Sequence, residues 1–572
     1  MVRNLKSFWL PSILLLSLPA LFFSLLSKLA LDSIFDDAYM FVRYADSIIH
    51  YGRIAWNHPG ETVYGPSSLL YLFVLTPIRL LFPDNPSLTV VFTSLICGIC
   101  FLLLIGLLVR RVLVESSPSI KGAVLVFLIA ALFVRQADFY LLQHFLTGMD
   151  TTFVLVYLTG YIMLLRKFEQ KPSQRLAVVT GIWGGMAFFA RPDLLLFSIV
   201  VPMMMGILSF RLRRGKEILL LLLVSLVVVL LQMLWAHLYL HSALPLSFFI
   251  KGVKRYGEKI YRIYHQAPYQ FLSEFLKTYI LLVVAIVLDI LSGPIAYWKR
   301  TSALEKGLLL STVLFGIYYL FFVLQIMGFL QRFYYPVLPA LIYLAVLSLV
   351  RLIEKVDRFT TRGGLFPELK KRGRQFTLAG VAIFVLVIVP ATVSRFDDWG
   401  EKRCGVADFA RIYDRCNDFG GKIWLALNKL AAIPDDLVVA TTEIGCPGIV
   451  LERKVVVDMA GLNETHIAQE GFSPEYLFQR YRPDWIYMPH PDYTRMISQL
   501  SSDPFFSKEY VTYSAKQLNI ALGVALLKKS RYYPRLKELL EKRVVESRNK
   551  VFTFRLPRYC YTYADWQKMA QQ

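Results

Sequence analysis

Two adjacent carboxylates, Asp36 and Asp37, lie in the stretch of this 572-residue chain richest in chemically capable groups, Asp32–Ser68, DSIFDDAYMFVRYADSIIHYGRIAWNHPGETVYGPSS. A carboxyl whose pKa is raised by partial burial and a like-charged neighbour suits a general base that takes the proton of an attacking hydroxyl. Its partner can hold a cation or an acceptor hydroxyl. The same pair also fits a structural role, the N-cap of the helical pattern Ala38–Tyr51. Arg43 falls about two helical turns further on, either facing the same site or snorkelling toward an interface. Trp56, Asn57, Glu61, Tyr64, Ser67 and Ser68 follow, with Gly52, Gly60 and Gly65 as turn points. Aromatic faces beside hydroxyls and amides suit a sugar or polar head group. An aromatic belt at a membrane interface accounts equally for Trp56 and Tyr64.

The elements that must position these groups are apolar. Hydrophobic residues make up 56% of the chain and charged residues 18%, against about 25% charge in soluble domains; mean hydropathy is +0.49. The apolar residues come in long blocks, which predicts a polytopic α-helical membrane protein. The net charge of +22 points away from nucleic acid, because Lys and Arg concentrate in short loops between the blocks. The blocks are Phe8–Ala30, Leu88–Val109, Gly122–Val134, Gly148–Leu165, Leu176–Ala190, Leu194–Phe210, Ile218–Leu240, Phe271–Leu291, Gly307–Leu324, Phe333–Val350 and Phe376–Val393, eleven expected spans. Phe8–Ala30 reads as a retained helix rather than a cleaved signal. Leu69–Phe82, with Pro77 and Arg79, is short of the about twenty residues a crossing takes, and reads as interfacial or re-entrant. With it excluded, every basic cluster falls on the side of the amino terminus, the cytoplasm.

That topology puts Asp32–Leu88, Gln136–Thr147, Arg191-Pro192-Asp193, His241–Gln270, Gln325–Arg332 and everything after Arg395 on the outer face. Asp138, His144 and Asp150 lie in or beside the second outer loop, Asp150 also where an acid favours a helix start. The outer cations Arg191, Lys251, Lys254, Arg255 and Arg332 can bind a phosphate; alternatively Arg191 pairs locally with Asp193 and the others snorkel. After Arg395 the pattern changes to short β-like runs at Leu437–Ala440, Lys454–Asp458 and Trp485–Met488, with helical patterns between and after, such as Leu536–Val545. This predicts a small extracytoplasmic α/β domain, residues 395–572, following a membrane domain over 1–394. Cys97 and Cys100 read as core residues. Cys404, Cys416, Cys446 and Cys560 allow up to two disulfides or none. No nucleotide-binding loop or zinc motif occurs.

In their order and spacing, several motifs resemble those of membrane glycosyltransferases of the GT-C superfamily, in particular the branch of the mycobacterial terminal arabinofuranosyltransferases. They are Asp36-Asp37-Ala38-Tyr39, Arg43-Tyr44-Ala45, Trp56-Asn57-His58-Pro59-Gly60 (one residue longer than the usual turn) and Tyr64-Gly65-Pro66-Ser67-Ser68. Further along come Thr147-Gly148-Met149-Asp150, where relatives more often carry Glu, Ala190-Arg191-Pro192-Asp193, Leu244-Pro245-Leu246-Ser247-Phe248 with Lys251, and Val457-Asp458-Met459-Ala460-Gly461-Leu462. The family places Asn where this chain has Leu246. The resemblance implies an inverting transfer from a polyprenyl-phosphate sugar to a cell-envelope glycan or lipid, in a bacterial cytoplasmic membrane. Asp36 or Asp37 would be the base, and Arg191, Lys251 and Arg332 the donor-phosphate ligands. Arg43, Tyr44, Trp56, Asn57, Tyr64, Ser67 and Asp150 would line the substrate site. A divalent metal on the Asp pair is open.

Two other classes fit a polytopic chain. A lipid-linked-sugar transporter or flippase should carry internal repeats and mid-membrane ionisable groups, whereas the spans here have nearly uncharged centres. A non-catalytic glycan-binding membrane protein would keep the aromatics and tolerate loss of Asp36 and Asp37.

Overall fold

The computed structural model describes residues 34–57, 60–134, 140–209, 215–251, 268–323, 325, 329–362, 427–489, 493–520 and 522–548. Among the described residues the chain is mostly helical, with one small sheet. Among the described residues, five stretches are long and apolar enough to cross a membrane: Pro86–Val112, Thr151–Gln170, Gly215–Leu240, Ala303–Phe321 and Tyr335–Lys355. The bent pair Tyr269–Thr278 and Ile280–Leu291, at 83°, makes a sixth if it is one span. The expected segments Gly122–Val134, Leu176–Ala190 and Leu194–Phe210 form shorter or broken helices, Pro118–Ile129 with a π turn at Ala130–Val134, Gln174–Gly185 with Ala187–Ala190, and Leu195–Ser209. Phe8–Ala30 and Phe376–Val393 lie outside the described residues, as does the expected boundary near 394. Leu69–Leu81 is a helix of 13 residues, short for a span, as expected.

Contacts divide the chain into two compact units. Among the described residues, a helical unit covers 94–232 and 268–362, and a sheet unit covers 34–93, 233–251 and 427–548.

The helical unit packs through small residues, as expected where lipid removes the hydrophobic drive between helices. A Cβ on Gly181 would lie 2.7 Å from the Leu221 carbonyl oxygen, and one on Gly185 2.5 Å from the Val228 Cβ. Ser225 Oγ donates to the Gly181 carbonyl at 3.0 Å and Gln232 Nε2 to that of Gly185 at 3.0 Å. Helix Gly215–Leu240 exposes Leu219, Leu223, Leu226, Val227, Leu230, Leu231 and Leu234, an apolar face suited to lipid. Arg351 joins three helices by donating to Asp289 at 2.8 Å and Glu305 at 2.7 Å.

The sheet unit has five strands, β1 (Val438–Thr441), β2 (Val455–Asp458), β3 (Trp485–Tyr487), β4 (Tyr510–Tyr513) and β5 (Val524–Leu527), in the order β2-β1-β3-β5-β4. β1 pairs in parallel with β2 and β3, while β5 runs antiparallel to β3 and β4. The continuous apolar runs of β1 to β3 reflect burial on both faces, usual for parallel strands. Helix Tyr533–Arg548 follows β5, containing the expected Leu536–Val545.

Candidate functional site

The Asp36–Asp37 pair begins the buried helix Ala38–Tyr51, which ends at Gly52 in the left-handed conformation (φ 65°), where glycine carries no Cβ penalty. Neither aspartate caps this helix through its side chain: Asp37 occupies the N-cap position without a side-chain cap bond. Asp36 instead accepts from two backbone N–H groups of a distant helix, Gly445–Val450. Oδ2 accepts from Gly445 at 2.9 Å and Oδ1 from Cys446 at 2.8 Å. A Cβ at Gly445 would fall 2.0 Å from the Asp36 carbonyl oxygen, so the close approach needs glycine. Burial, with Asp37 beside it, raises the Asp36 carboxyl to about 7 against these two donors.

Arg43 is buried on the same helix. A guanidinium has five N–H donors, and all five are engaged by the protein. Nε donates to the Trp56 carbonyl at 2.6 Å. One terminal nitrogen donates to the Gly448 carbonyl and to that of Leu451 at 3.1 Å. The other donates to Asn57 Oδ1 at 3.2 Å and the Lys454 carbonyl at 2.9 Å. The guanidinium also lies 4.7 Å over the Trp56 ring. Every N–H donor of Arg43 is thus bonded within the protein. Desolvation lowers its pKa to about 10, and it stays charged at neutral pH.

The aromatic loop likewise turns inward. Trp56 is buried and donates from Nε1 to the Val456 carbonyl at 2.8 Å, while Asn57 Oδ1 accepts from the Val456 N–H at 2.9 Å. Tyr44 donates to Asn463 Oδ1 at 2.8 Å. Asn463 is held by Asp458, which accepts from the N–H groups of Ala460, Gly461 and Asn463 and from the Asn463 amide. Burial raises Asp458 to about 7 while these four donors pull the other way. Gly65 fits beneath Tyr44: a Cβ there would lie 2.1 Å from the Tyr44 hydroxyl. Tyr64 is buried, Ser67 partly so. The Tyr64 carbonyl accepts from the Leu246 N–H at 2.8 Å, tying helix Leu246–Lys251, and so Lys251, to this loop. Val63, Leu246, Ile250 and Ala468 bury a small apolar cluster there. A buried ion pair from Arg79 to Asp46, 2.7 Å, fixes helix Leu69–Leu81 against helix Ala38–Tyr51. Lys254 and Arg255 lie outside the described residues.

The structure thus brings Asp36, Asp37, Arg43, Tyr44, Trp56, Asn57, Tyr64, Ser67 and Lys251 into one unit with Asp458, Asn463, Gly445 and Gly448. Sequence reasoning missed the two glycines. Their type was visible, but not their partners, about four hundred residues away: a Cβ on Gly448 would meet the Trp56 ring at 2.6 Å.

Asp150, Arg191 and Arg332 belong to the helical unit, all buried. Arg191 forms a forked ion pair with Asp193, with contacts of 3.0 and 2.6 Å, and donates to the Tyr319 hydroxyl at 3.0 Å. Burial opposes its charge, but Asp193, Tyr319 and Asp150 hold the guanidinium above its ordinary range. Asp150 occupies the N-cap position of helix Thr151–Gln170. Arg332 lies 5.2 Å over the Phe333 ring. His144 is packed 4.1 Å from the Tyr335 ring; Asp138 lies outside the described residues.

Among the described residues, no group of three or more His, Cys, Asp or Glu is placed to hold a metal ion. Cys446 is disulfide-bonded, while Cys97 and Cys100 are free; Cys404, Cys416 and Cys560 lie outside the described residues. No protein-family model matches the chain, and no curated protein matches it.

Proposed function

We propose that the chain is an integral-membrane glycosyltransferase of the GT-C type, moving a sugar from a polyprenyl-phosphate donor to a cell-envelope glycan or lipid with inversion. The observation that carries this reading is the Asp36–Asp37 pair, its first carboxylate gripped by the Gly445 and Cys446 N–H groups. Such a grip fixes the position of the next residue, which is what a catalytic base needs. We assign Asp37 as the base and Asp36 as its positioning residue. Asp37 takes the proton of the acceptor hydroxyl as that oxygen bonds to the anomeric carbon. The bond from that carbon to the lipid phosphate breaks, and the phosphate leaves with the electron pair. Lys251, in the same unit as the pair, is the cation proposed for the phosphate.

In this reading the chain has eleven spans, a cytoplasmic amino terminus and an outer sheet unit, in a bacterial cytoplasmic membrane. The one-sided basic loops support that topology. So does the disulfide at Cys446, because disulfides persist in oxidising compartments.

The test is sugar transfer by purified protein from polyprenyl-phosphate pentose and hexose donors. Asp37→Asn is expected to lower turnover about 10²- to 10⁴-fold with the fold retained. Full activity of Asp37→Asn would overturn the base assignment. Absence of transfer from every lipid-linked donor would overturn the enzymatic reading.

A further inference from the structure

Among the described residues, three buried side chains of the helical unit have their donor ends engaged by protein and their acceptor ends without a partner. His144 Nε2 lies 3.0 Å from the Leu330 carbonyl oxygen. A carbonyl only accepts, so the proton is on Nε2 and Nδ1 is an acceptor; Nδ1 is buried with no hydrogen-bond partner. Gln325 donates from Nε2 to the Tyr319 carbonyl at 2.9 Å and to the Tyr334 hydroxyl at 2.7 Å, leaving Oε1 buried and unbonded. Gln331 hydrogen-bonds the Glu274 carboxylate, which turns its amide N–H groups there and leaves Oε1 buried and unbonded.

The three are neighbours. His144 bonds the residue before Gln331 and packs on Tyr335. The Tyr334 N–H donates to the Gln331 carbonyl at 2.9 Å, and Gln325 bonds the Tyr334 hydroxyl. Leu330 and Gln331 both have left-handed backbone, φ 55° and 58°. Two successive non-glycine residues in that region are strained, and such strain clusters at ligand clamps. Buried acceptors without donors are costly, so this turn suits an occupant that brings hydrogen-bond donors. Arg332 acts electrostatically on His144, which disfavours a cation. Burial and Arg332 lower the His144 pKa to about 3, so Nδ1 remains an acceptor at neutral pH.

We propose that this turn binds the hydroxyl groups of a sugar, with His144 Nδ1, Gln325 Oε1 and Gln331 Oε1 as acceptors. The inference rests on the glycosyltransferase reading for its ligand class. The sugar belongs either to a lipid-linked donor or to a glycan acceptor.

The test measures binding to purified protein of three probes: polyprenyl-phosphate hexose or pentose, bare polyprenyl phosphate, and hexose or pentose trisaccharides. Gln325→Met and Gln331→Met remove an acceptor while keeping side-chain length; thermal unfolding identifies the variant that keeps its fold. An affinity loss of about tenfold toward the sugar-bearing lipid, with bare lipid phosphate unaffected, assigns the donor sugar. The same loss toward trisaccharides alone assigns the acceptor. Unchanged affinities for all probes, or equal losses toward lipid with and without sugar, overturn the proposal and leave water as the partner of these atoms. Sugar-selective binding that the variants lose, in a protein that transfers nothing, would sink the enzymatic reading and keep this site. Normal transfer with unchanged binding in both variants would do the reverse.

Discussion

Asp36 and Gly445 approach so closely that a Cβ on the glycine would lie 2.4 Å from the aspartate Cγ, while the Gly445 N–H donates to Asp36 Oδ2 at 2.9 Å. Steric fit and hydrogen bonding here demand the same residue. Gly445→Ala is therefore expected to destabilise the sheet unit by about 1–3 kcal/mol, as overpacking does, and to lower transfer as well. Asp36→Asn keeps one acceptor oxygen but turns an amide N–H2 toward the other N–H, with a cost of about 1–3 kcal/mol. Thermal unfolding of the purified variants checks both, and unaltered unfolding temperatures would refute the grip.

Arg43→Lys is expected to cost more, about 3–5 kcal/mol, since lysine cannot replace a planar five-donor fork and leaves buried carbonyls unpaired. Three ammonium donors face five acceptors, the carbonyls of Trp56, Gly448, Leu451 and Lys454 and Asn57 Oδ1, so at least two lose their partner. The readout is a lower unfolding temperature with loss of protected tryptophan emission from Trp56. Were Arg43 instead a substrate ligand, the variant would keep its stability and lose only substrate affinity.

Asp36 and Asp458 both sit at about 7, against an ordinary 3.8. Between those values the folded chain binds more protons than the unfolded one, so stability falls as pH rises through that window and levels off above it. The unfolding temperature is expected to decline from about pH 4 to about pH 7, with a shallower decline in Asp458→Asn. A rise over the same range would contradict the burial of these carboxyls.

Reduction of the disulfide at Cys446 is expected to destabilise the sheet unit by about 2–4 kcal/mol. In intact cells, an impermeant maleimide applied outside should label a cysteine placed at the exposed Glu61, as Glu61→Cys. Labelling that requires permeabilised cells would reverse the proposed topology.

The sequence alone located the long apolar helices and three of the strands, because burial in an apolar medium writes itself locally. Runs such as Ile218–Leu240 are apolar nearly all round, and strand β2 is marked by the apolar run Val455–Val457, so both could be placed to within a few residues. The shortness of Leu69–Phe82 was equally legible. Strands β4 and β5 were not: Tyr510–Tyr513 grades from buried to exposed without clean alternation, and the wholly buried run Val524–Leu527 cannot be told from a buried helix segment by period alone. The side chains singled out by type were found, but their roles were decided by partners distant in the chain. Arg43, Trp56 and Asn57 look like sugar-binding groups one by one, and only the backbone of residues 448–456 shows that they brace the fold. Asp36 was open between a cap and a base. The tertiary structure makes it a cap, though of a helix whose N–H groups belong to Gly445 and Cys446, because a helix start lacks acceptors wherever the chain brings it. A local pattern encodes burial and period, whereas the partner of a hydrogen bond is fixed only when the chain closes on itself.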